Sequence, residues 1–311
     1  MVGVYYHDLF VRHLEGYDHV ERPDRLRSIL ARLKASPIVG QLQFVDAQPA
    51  ETAWLERVHD KKYVEAILNL EVADAVMLDW GDTVATPATP QAALHAAGAG
   101  VQAVRAVLDG TYPSAFCAVR PPGHHAERDR AMGFCVFNNI AVAASYLVDE
   151  AGLERVGIVD WDIHHGNGTE SAFAECNRVL YISLHQYPHY PGTGHPDMTG
   201  KGPGIGFTLN IPMGAGAGDD DYRQAFKRQV LPTIDDFKPQ FLLISAGFDA
   251  HANDPLSATR LSSAFFGEMT RMLKDSAAEH CHGRIVSFLE GGYNVDTLAE
   301  SVEEHLKVLV S

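Results

Sequence analysis

Residues 156–167 read VGIVDWDIHHGN, a short run of apolar and small residues that passes directly into a dense polar segment. A short β-branched run of this kind is typical of a buried strand. In open α/β sheets the ligand site lies outside the carboxyl ends of the strands, where this polar segment would fall. The stretch therefore predicts a strand of a parallel sheet and a functional site at the end of that strand.

The rest of the chain repeats the alternation of short apolar runs and longer helical patterns. Strands are predicted at 2–6, 115–119, 156–159, 179–184, 207–211, 241–245 and 285–289. Helices are predicted at 23–34, 90–108, 139–149, 220–237, 262–278 and 296–310. Strands that alternate with helices predict an α/β fold with a parallel sheet covered on both faces. Residues 186–218 hold nine glycines and five prolines, which predicts a mostly irregular, functional surface loop.

The composition is that of an ordinary globular protein. The chain has 311 residues, of which 46% are hydrophobic and 21% charged, and its 25 Lys+Arg against 40 Asp+Glu give a net charge of −15. A protein that binds nucleic acid needs a basic face for the phosphates, so this balance argues against a nucleic-acid partner. No linker-like segment divides the chain, and we expect a single domain over residues 1–311.

Cysteine usage and hydrophobic runs bear on location. The four cysteines, Cys117, Cys135, Cys176 and Cys281, stand far apart and form no C-x-x-C pair. This spacing predicts neither a disulfide framework nor a zinc knuckle, and it favours a reducing compartment. The N-terminus lacks the pattern of a signal peptide, and the apolar runs are too short to span a bilayer. We therefore expect a cytoplasmic protein with no membrane partner.

Five polar clusters follow five of the predicted strands. They are 120–125 (RPPGHH), 160–167 (DWDIHHGN), 183–185 (SLH), 247–249 (GFD) and 290–293 (EGGY). Because the carboxyl ends of parallel strands lie at one edge of a sheet, the five clusters are expected to converge on one site. Unrelated turn residues would have to fall in this position five times by coincidence.

The first candidate chemistry is metal binding. Asp162 and His164 are two residues apart, so in an extended segment both side chains point the same way. With Asp249 they form a set of two carboxylates and one imidazole, which is typical of a catalytic metal site with open positions. The alternative for Asp162 and His164 alone is a hydrogen-bonded pair that shapes a turn.

Two adjacent histidines provide candidate proton carriers. His124 and His125 follow a Pro-Pro-Gly turn, which restricts the backbone, although such a pair could also be solvated. A water activated by a metal needs a base, and a leaving amine needs an acid. A carboxylate partner such as Asp160 would raise the pKa of one imidazole, whereas a neutral partner such as Asn167 would leave the other near its ordinary value.

Tyr293 is the candidate donor to a developing oxyanion. It follows Glu290-Gly-Gly, and a tyrosine hydroxyl beside a metal can donate a hydrogen bond to an oxygen that gains charge. The alternative is a glycine turn followed by a packing tyrosine.

Taken together, these segments resemble the zinc-dependent histone deacetylase superfamily. The matching segments are 21–26 (ERPDRL), 120–125, 160–170 (DWDIHHGNGTE), 245–256 (SAGFDAHANDPL) and 289–294 (LEGGYN), so the resemblance covers almost the whole chain. Trp161 and an Asn at 167 are similar to the class II branch and to bacterial histone deacetylase-like amidohydrolases. The resemblance implies the three-layer α/β/α arginase/deacetylase fold, with a central, mostly parallel sheet of eight strands.

The resemblance also implies a role for each matching residue. It assigns Zn²⁺, with Fe²⁺ as the alternative, to Asp162, His164 and Asp249. It makes His125 the general base and then acid, His124 with Asp160 an electrostatic pair, and Tyr293 the residue that polarises the carbonyl. The implied acyl-lysine channel includes Gly133, Phe134, Tyr190, Leu256, Asp82 and Gly292, with Arg25 beneath the metal. A structural K⁺ is implied at Asp160, Asp162, His164, Ser183 and Leu184, and a second at Phe173, Cys176 and Val179.

The implied activity is hydrolysis of the amide of N-acyl-lysine or a similar N-acetylated amine, so the expected partner is an acetyl-lysine or other acylated amine substrate. Assembly into a homo-oligomer is compatible with the sequence. A binuclear manganese ureohydrolase is less favoured, because His165, Asn167 and His251 stand where bridging carboxylates would be needed. An acetylpolyamine deacetylase is the alternative within the family, but Leu256 offers no partner to an ammonium group. A non-catalytic binding module would need neither His125 nor Tyr293.

Overall fold

The structure is a computed structural model that describes residues 1–79 and 81–311. Its strands, in chain order, are β1 (Val2–Tyr6), β2 (Leu42–Asp46), β3 (Val76–Met77), β4 (Val84–Ala85), β5 (Ser114–Cys117), β6 (Val156–Asp160), β7 (Val179–Gln186), β8 (Thr208–Met213), β9 (Phe241–Ala246) and β10 (Ile285–Leu289). Eight of these strands form one sheet in the order β2-β1-β5-β10-β9-β6-β7-β8, and β3 pairs with β4 in a separate antiparallel hairpin. Every neighbouring pair in the large sheet is parallel, as predicted.

The helices are α1 (Leu9–Arg12), α2 (Asp24–Ala35), α3 (Thr52–Leu55), α4 (Lys61–Leu68), α5 (Thr89–Leu108), α6 (Asn139–Asp149), α7 (Asn167–Phe173), α8 (Asp219–Ala225), α9 (Leu231–Phe237), α10 (Ser263–His280) and α11 (Val295–Val310). Short 3₁₀ turns occur at Val39–Gln41 and Gly202–Gly204. Within the described part of the chain, no helix is both long and apolar enough to cross a membrane.

The central strands are apolar because helices cover both of their faces. Every residue of β5, β6, β9 and β10 is buried, which explains their nearly continuous hydrophobic runs. Helix α5 packs against β5, β10 and α6, and α11 packs against α2 and α10. The two groups of helices flank the sheet and give the three-layer α/β/α architecture.

Several elements differ from the sequence prediction. Helices α1, α3, α4 and α7 and the β3–β4 hairpin were not predicted, and β5 ends at Cys117 rather than at 119. Strand β2 was not predicted, because it lies at the edge of the sheet and only the first of its five residues is buried, so it lacks the apolar run of a central strand. The predicted helix 220–237 is interrupted by a π-helical turn at Phe226–Val230. Pro232 follows directly in α9, and because proline has no N–H it cannot continue the regular hydrogen-bond ladder through this point. The loop 186–218 also holds more strand than expected, since β7 reaches Gln186 and β8 extends to Met213.

Candidate active site

The ends of the central strands bring the predicted metal ligands together. Asp160, the last residue of β6, lies opposite Ser183 of β7 and Ser245 of β9, so the segments that follow these strands begin at the same level. One possible ligand atom each from Asp162, His164 and Asp249 lies within 4.8 Å of the others, and all three residues are buried.

Backbone groups fix the orientation of these carboxylates. Asp162 accepts hydrogen bonds from the N–H groups of His164 at 2.9 Å and Gly291 at 2.7 Å. Asp249 accepts one from the N–H of Ile163 at 2.9 Å, and its other oxygen lies 3.1 Å from His164 Nδ1. A Cβ at Gly291 would clash with the carboxylates of both Asp249 and Asp162. A pocket kept open by glycine and lined by two carboxylates and one imidazole fits a divalent metal ion.

The charges in this set are tightly coupled. Burial, together with the nearby carboxylate of Asp162, raises the pKa of Asp249 to about 7. Burial alone would lower the pKa of His164, but hydrogen bonds to Asp162 and Asp249 outweigh it and raise that pKa to about 10. Two buried carboxylates this close need a positive partner, which a bound cation would also supply.

His124 and His125 lie beside the metal-ligand set with their rings 4.0 Å apart. Their turn is fixed from below by Glu290, which accepts hydrogen bonds from the N–H groups of Gly123 at 2.7 Å and His124 at 3.2 Å. His124 Nδ1 lies 3.1 Å from the Asp160 carboxylate. Both imidazoles are buried, so neither is the solvated ring of an ordinary turn.

The two histidines have opposite electrostatics. Burial opposes a charge on His124, but the carboxylates of Asp162 and Asp160 dominate and raise its pKa to about 10. Burial and the positive charge of His124 lower the pKa of His125 well below its ordinary value. The pKa near its ordinary value that the sequence predicts for the histidine beside Asn167 is wrong, because burial and the cation on His124 lower it. His125 is therefore neutral and can accept a proton.

Asn167 connects His125 to a residue that the sequence analysis did not single out. His125 Nδ1 lies 2.8 Å from Asn167 Oδ1, and Asn167 Nδ2 donates to the Glu127 carboxylate at 2.7 Å. Asn167 is the first residue of α7, so the start of that helix sets its position.

Tyr293 lines the same cavity as His125 and His164. Its backbone N–H donates to Asp254 at 2.7 Å, and its ring packs edge-on against Phe134 with 5.8 Å between centroids. Gly292 precedes it with φ of 120°, a conformation that residues with a side chain rarely adopt. Burial and the charge of Asp249 raise the pKa of Tyr293 well above its ordinary value, so the phenol keeps its proton and can donate it in a hydrogen bond.

Arg25 supports this wall from beneath. Its guanidinium is buried, donates to the carbonyl oxygens of Gly292 at 2.6 Å and Glu290, and pairs with Glu21 at 2.9 Å. Glu21 also pairs with the buried Arg120. The resemblance places Arg25 beneath the metal and Gly292 in the channel; both residues lie under the site, and neither lines the cavity above it.

A cavity of about 620 Å³ leads to His125, His164 and Tyr293. Its lining contains His125, His164 and Tyr293 together with the predicted channel residues Gly133, Phe134, Tyr190, Leu256 and Asp82. The Tyr190 ring stands edge-on to His125, with 5.2 Å between centroids. A Cβ at Gly133 would clash with the His125 ring, so the absence of a side chain there keeps the cavity open beside this ring.

The cavity has further lining residues that the sequence analysis did not place there: Asp18, His19, Val20, Arg22 and His189. The His189 ring stacks on His164 at 5.1 Å, and its Nε2 lies 3.0 Å from the carbonyl oxygen of Leu256. His19 Nε2 lies 3.1 Å from the carbonyl oxygen of Asp82. Asp18, His19 and Val20 precede the 21–26 motif, Arg22 lies within it, and His189 lies in the glycine-rich loop. These positions are the only sequence signals for the five residues.

The residues of the implied potassium sites lie beside the active site and behind it. The first set surrounds the ends of β6 and β7, where Asp160 pairs in register with Ser183. In the second set, the carbonyl oxygen of Phe173 accepts a hydrogen bond from the N–H of Cys176 at 2.9 Å, and Val179 begins β7. Both potassium sites remain predictions.

The residues that would have to bridge a second metal are engaged elsewhere. His165 contacts Thr193 at 2.7 Å and Glu170 at 3.2 Å, and His251 lies 3.1 Å from the Ser263 hydroxyl. Asn167 is committed to His125. Within residues 1–79 and 81–311, Asp162, His164 and Asp249 are the group of acidic, histidine or cysteine side chains arranged to hold a metal ion.

Comparison with known proteins places this fold and site in a family. The histone deacetylase domain model matches residues 19–309, so the chain belongs to the histone deacetylase family. It is 39% identical over 298 residues to a probable deacetylase of Archaeoglobus fulgidus, covering 95% of this chain and 82% of that protein. It is 42% identical over 277 residues to a histone deacetylase-like amidohydrolase of Pseudomonas aeruginosa, covering 89% and 73%. The crystal structure of the HDA15 HD domain superposes with a TM-score of 0.94 at 39% identity, covering 100% of this chain and 91% of that one.

Proposed function

We propose that the protein is a metal-dependent deacetylase that hydrolyses the amide of N-acyl-lysine or a similar N-acetylated amine to a carboxylate and a free amine. The observation that carries the proposal is the convergence of three kinds of group at the end of one cavity. These are the set of possible metal ligands, a neutral buried histidine and a protonated phenol.

Asp162, His164 and Asp249 would hold the metal, which we propose to be Zn²⁺ rather than Fe²⁺. When bound, Zn²⁺ supplies Lewis-acid polarisation of the amide carbonyl and lowers the pKa of a water molecule. K⁺ at the predicted backbone sites would support the strand ends and takes no part in the reaction.

The protein's own groups supply proton transfer. His125 accepts the proton of the attacking water on the ring nitrogen that does not face Asn167, and its lowered pKa keeps that nitrogen free beforehand. The same proton then passes to the amine nitrogen as the carbon–nitrogen bond breaks. His124, beside Asp160, keeps its charge and stabilises negative charge that develops nearby.

Tyr293 acts on the carbonyl oxygen. Tyr293 lines the same cavity as His125, and its hydroxyl donates a hydrogen bond to the oxygen as that atom gains charge. The walls formed by Phe134 and Tyr190 exclude water from an extended acyl-amine chain and orient it toward these groups.

An acetylated polyamine is the second candidate substrate, supported by the carboxylates of Asp18 and Asp82 in the cavity lining. Leu256 in the same lining favours a singly extended chain, because it offers no partner to a desolvated ammonium group. A cytoplasmic location also remains a proposal, consistent with four free cysteines.

The decisive experiment measures turnover of a fluorogenic acetyl-lysine amide by the wild-type protein before and after treatment with a chelator. We expect chelation to abolish turnover and added Zn²⁺ to restore it. His125→Ala should lower kcat by about 10² to 10⁴, the range of general acid–base catalysis, and His282→Asn, at an exposed position, serves as the matched control. Turnover that survives both chelation and His125→Ala would contradict the proposal.

A further inference from the structure

We infer that Glu127 is a positioning residue that determines which ring nitrogen of His125 carries the proton, and that it acts through the side-chain amide of Asn167. The effect of Glu127 on catalysis rests on the proposed function. Its effect on the position of the His125 proton does not depend on any activity of the protein. Glu127 touches none of the reacting groups, and its carboxylate is partly exposed, at 25%.

The contacts form a chain from the histidine outward. His125 Nδ1 faces Asn167 Oδ1 at 2.8 Å, and Asn167 Nδ2 faces a Glu127 oxygen at 2.7 Å. His125 and Asn167 are 3% and 6% exposed, so water has little access to either link.

The direction of each hydrogen bond follows from the type of atom. An ionised carboxylate only accepts, so the Asn167 end that faces Glu127 has to be the NH₂ group. The other end is then the carbonyl oxygen, which also only accepts, so His125 Nδ1 has to carry the proton. In a neutral imidazole this leaves Nε2 with a free lone pair, as a general base requires. Without Glu127, the Asn167 side-chain amide is free to rotate so that its NH₂ group faces His125. The NH₂ group donates to Nδ1, and the proton of the neutral imidazole then lies on Nε2.

Glu127 is itself held in place. Arg130 lies 2.9 Å from its second oxygen, and the Glu127 backbone N–H donates to the carbonyl oxygen of Arg130 at 3.0 Å. The carbonyl oxygen of Glu127 lies 2.8 Å from His59 Nδ1. The carboxylate oxygen that meets Asn167 is therefore fixed by partners on both the side chain and the backbone.

Glu127→Gln tests the inference with almost no change in shape. A glutamine has one acceptor oxygen, and Arg130, which only donates, competes for it, so the new NH₂ group turns toward Asn167. The Asn167 amide is then expected to reverse. We expect kcat to fall by about tenfold or more, since a hydrogen bond to a charged group usually sets a preference of this size. Glu154→Gln, at an exposed position, is the matched control and should leave kcat unchanged.

Glu127→Gln should no longer lower kcat when Asn167 is replaced by aspartate. A carboxylate at 167 accepts from His125 Nδ1 whichever way it turns, so it needs no orienting partner. It also repels Glu127, and Glu127→Gln removes that repulsion. We therefore expect Asn167→Asp/Glu127→Gln to have a kcat equal to or above that of Asn167→Asp.

The second measurement reports the proton directly. In the metal-free protein with ¹⁵N-labelled histidine, the His125 signal, identified by its loss in His125→Ala, should show the proton on Nδ1 in the wild type and a shift toward Nε2 in Glu127→Gln. A fall in kcat by the same factor in both backgrounds, or a proton that stays on Nδ1 in Glu127→Gln, would overturn the inference. A wild-type protein without deacetylase activity would refute the proposed function but leave this ¹⁵N measurement as the test.

Discussion

The backbone N–H of Gly291 donates to Asp162 Oδ2 at 2.7 Å, so the glycine segment after β10 forms one wall of the metal-ligand set. The same glycine leaves the space that Asp249 and Asp162 occupy, because a Cβ at 291 would clash with both carboxylates. Its φ is not in the left-handed region, so an alanine there is excluded by space alone.

Gly291→Ala should therefore weaken metal binding. Displacement of the carboxylates is expected to lower the affinity for Zn²⁺ by about 10- to 100-fold, the range found when groups that orient metal ligands are altered. Asp249→Ala, which removes a ligand, should lose the ion altogether. Gly214→Ala, at a glycine with open space around it, is the control. Metal analysis after dialysis gives the answer, and two tightly held Mn²⁺ ions per wild-type chain would refute a single-ion site.

Tyr293→Phe isolates the hydroxyl, because the ring and its contact with Phe134 remain. A preorganised donor to a developing oxyanion contributes about 10² to 10³ in kcat. We expect a fall of that size with little change in KM, the pattern of an interaction made chiefly in the transition state. Steady-state kinetics separate the two parameters. A raised KM at constant kcat would instead make Tyr293 a substrate-binding residue.

Leu256→Glu should shift preference toward acetylated polyamines. Leu256 lines the cavity, with its carbonyl oxygen 3.0 Å from His189 Nε2, and a carboxylate at this position would pair with an ammonium group that leucine leaves unpartnered. The ratio of kcat/KM for acetylspermidine to that for an acetyl-lysine peptide measures the shift, with Leu256→Gln as the uncharged control. A wild-type protein that already prefers acetylspermidine would show the argument to be wrong.

His305 should make stability depend on pH. The ring is buried between the hydroxyls of Thr270 at 2.6 Å and Ser287 at 2.8 Å, and burial lowers its pKa from 6.5 to about 3. Below pH 6.5 the unfolded chain binds a proton that the folded protein does not, so the free energy of unfolding falls as pH falls from 6.5 toward 3.

His305→Gln removes this contribution while keeping a side chain that can hydrogen-bond both hydroxyls. Between pH 6.5 and pH 5, the wild type should lose about 1.6 kcal/mol more than the variant, because the unfolded imidazole is half protonated at pH 6.5 and almost fully protonated at pH 5. Urea unfolding at the two pH values measures the difference, and His282→Asn is the exposed control. Equal losses in wild type and His305→Gln would show that the buried ring is not the cause.

The central strands could be predicted from the sequence, because parallel strands that are buried on both faces consist of uninterrupted apolar runs. β1 and β10 have the bounds predicted for them, and β6 and β9 each end one residue beyond the prediction. The proximity of Asp162 and Asp249 could be predicted for the same reason, since these residues follow two such strands, β6 and β9. β2 was missed because an edge strand with one half-exposed face lacks this signal.

The outer contacts of the site could not be predicted from the sequence. Glu127 meets Asn167 across 40 residues of chain, and His19 meets Asp82 across 63. Such contacts depend on how separate loops pack, which no periodicity records. The pKa of His125 differs from the predicted one for a related reason, since burial and the charge of His124 lower it and both depend on how the loops pack.

The order of strands in the sheet also bears on how the protein would lose its activity on heating. The segments that carry His124, Tyr293, Asp249 and Asp162 follow β5, β10, β9 and β6, which are neighbours at the centre of the sheet. Edge strands such as β2 and β8 open at lower free energy than central ones. Fraying at either edge therefore leaves these four segments in place, and thermal inactivation should coincide with cooperative collapse of the whole sheet rather than precede it.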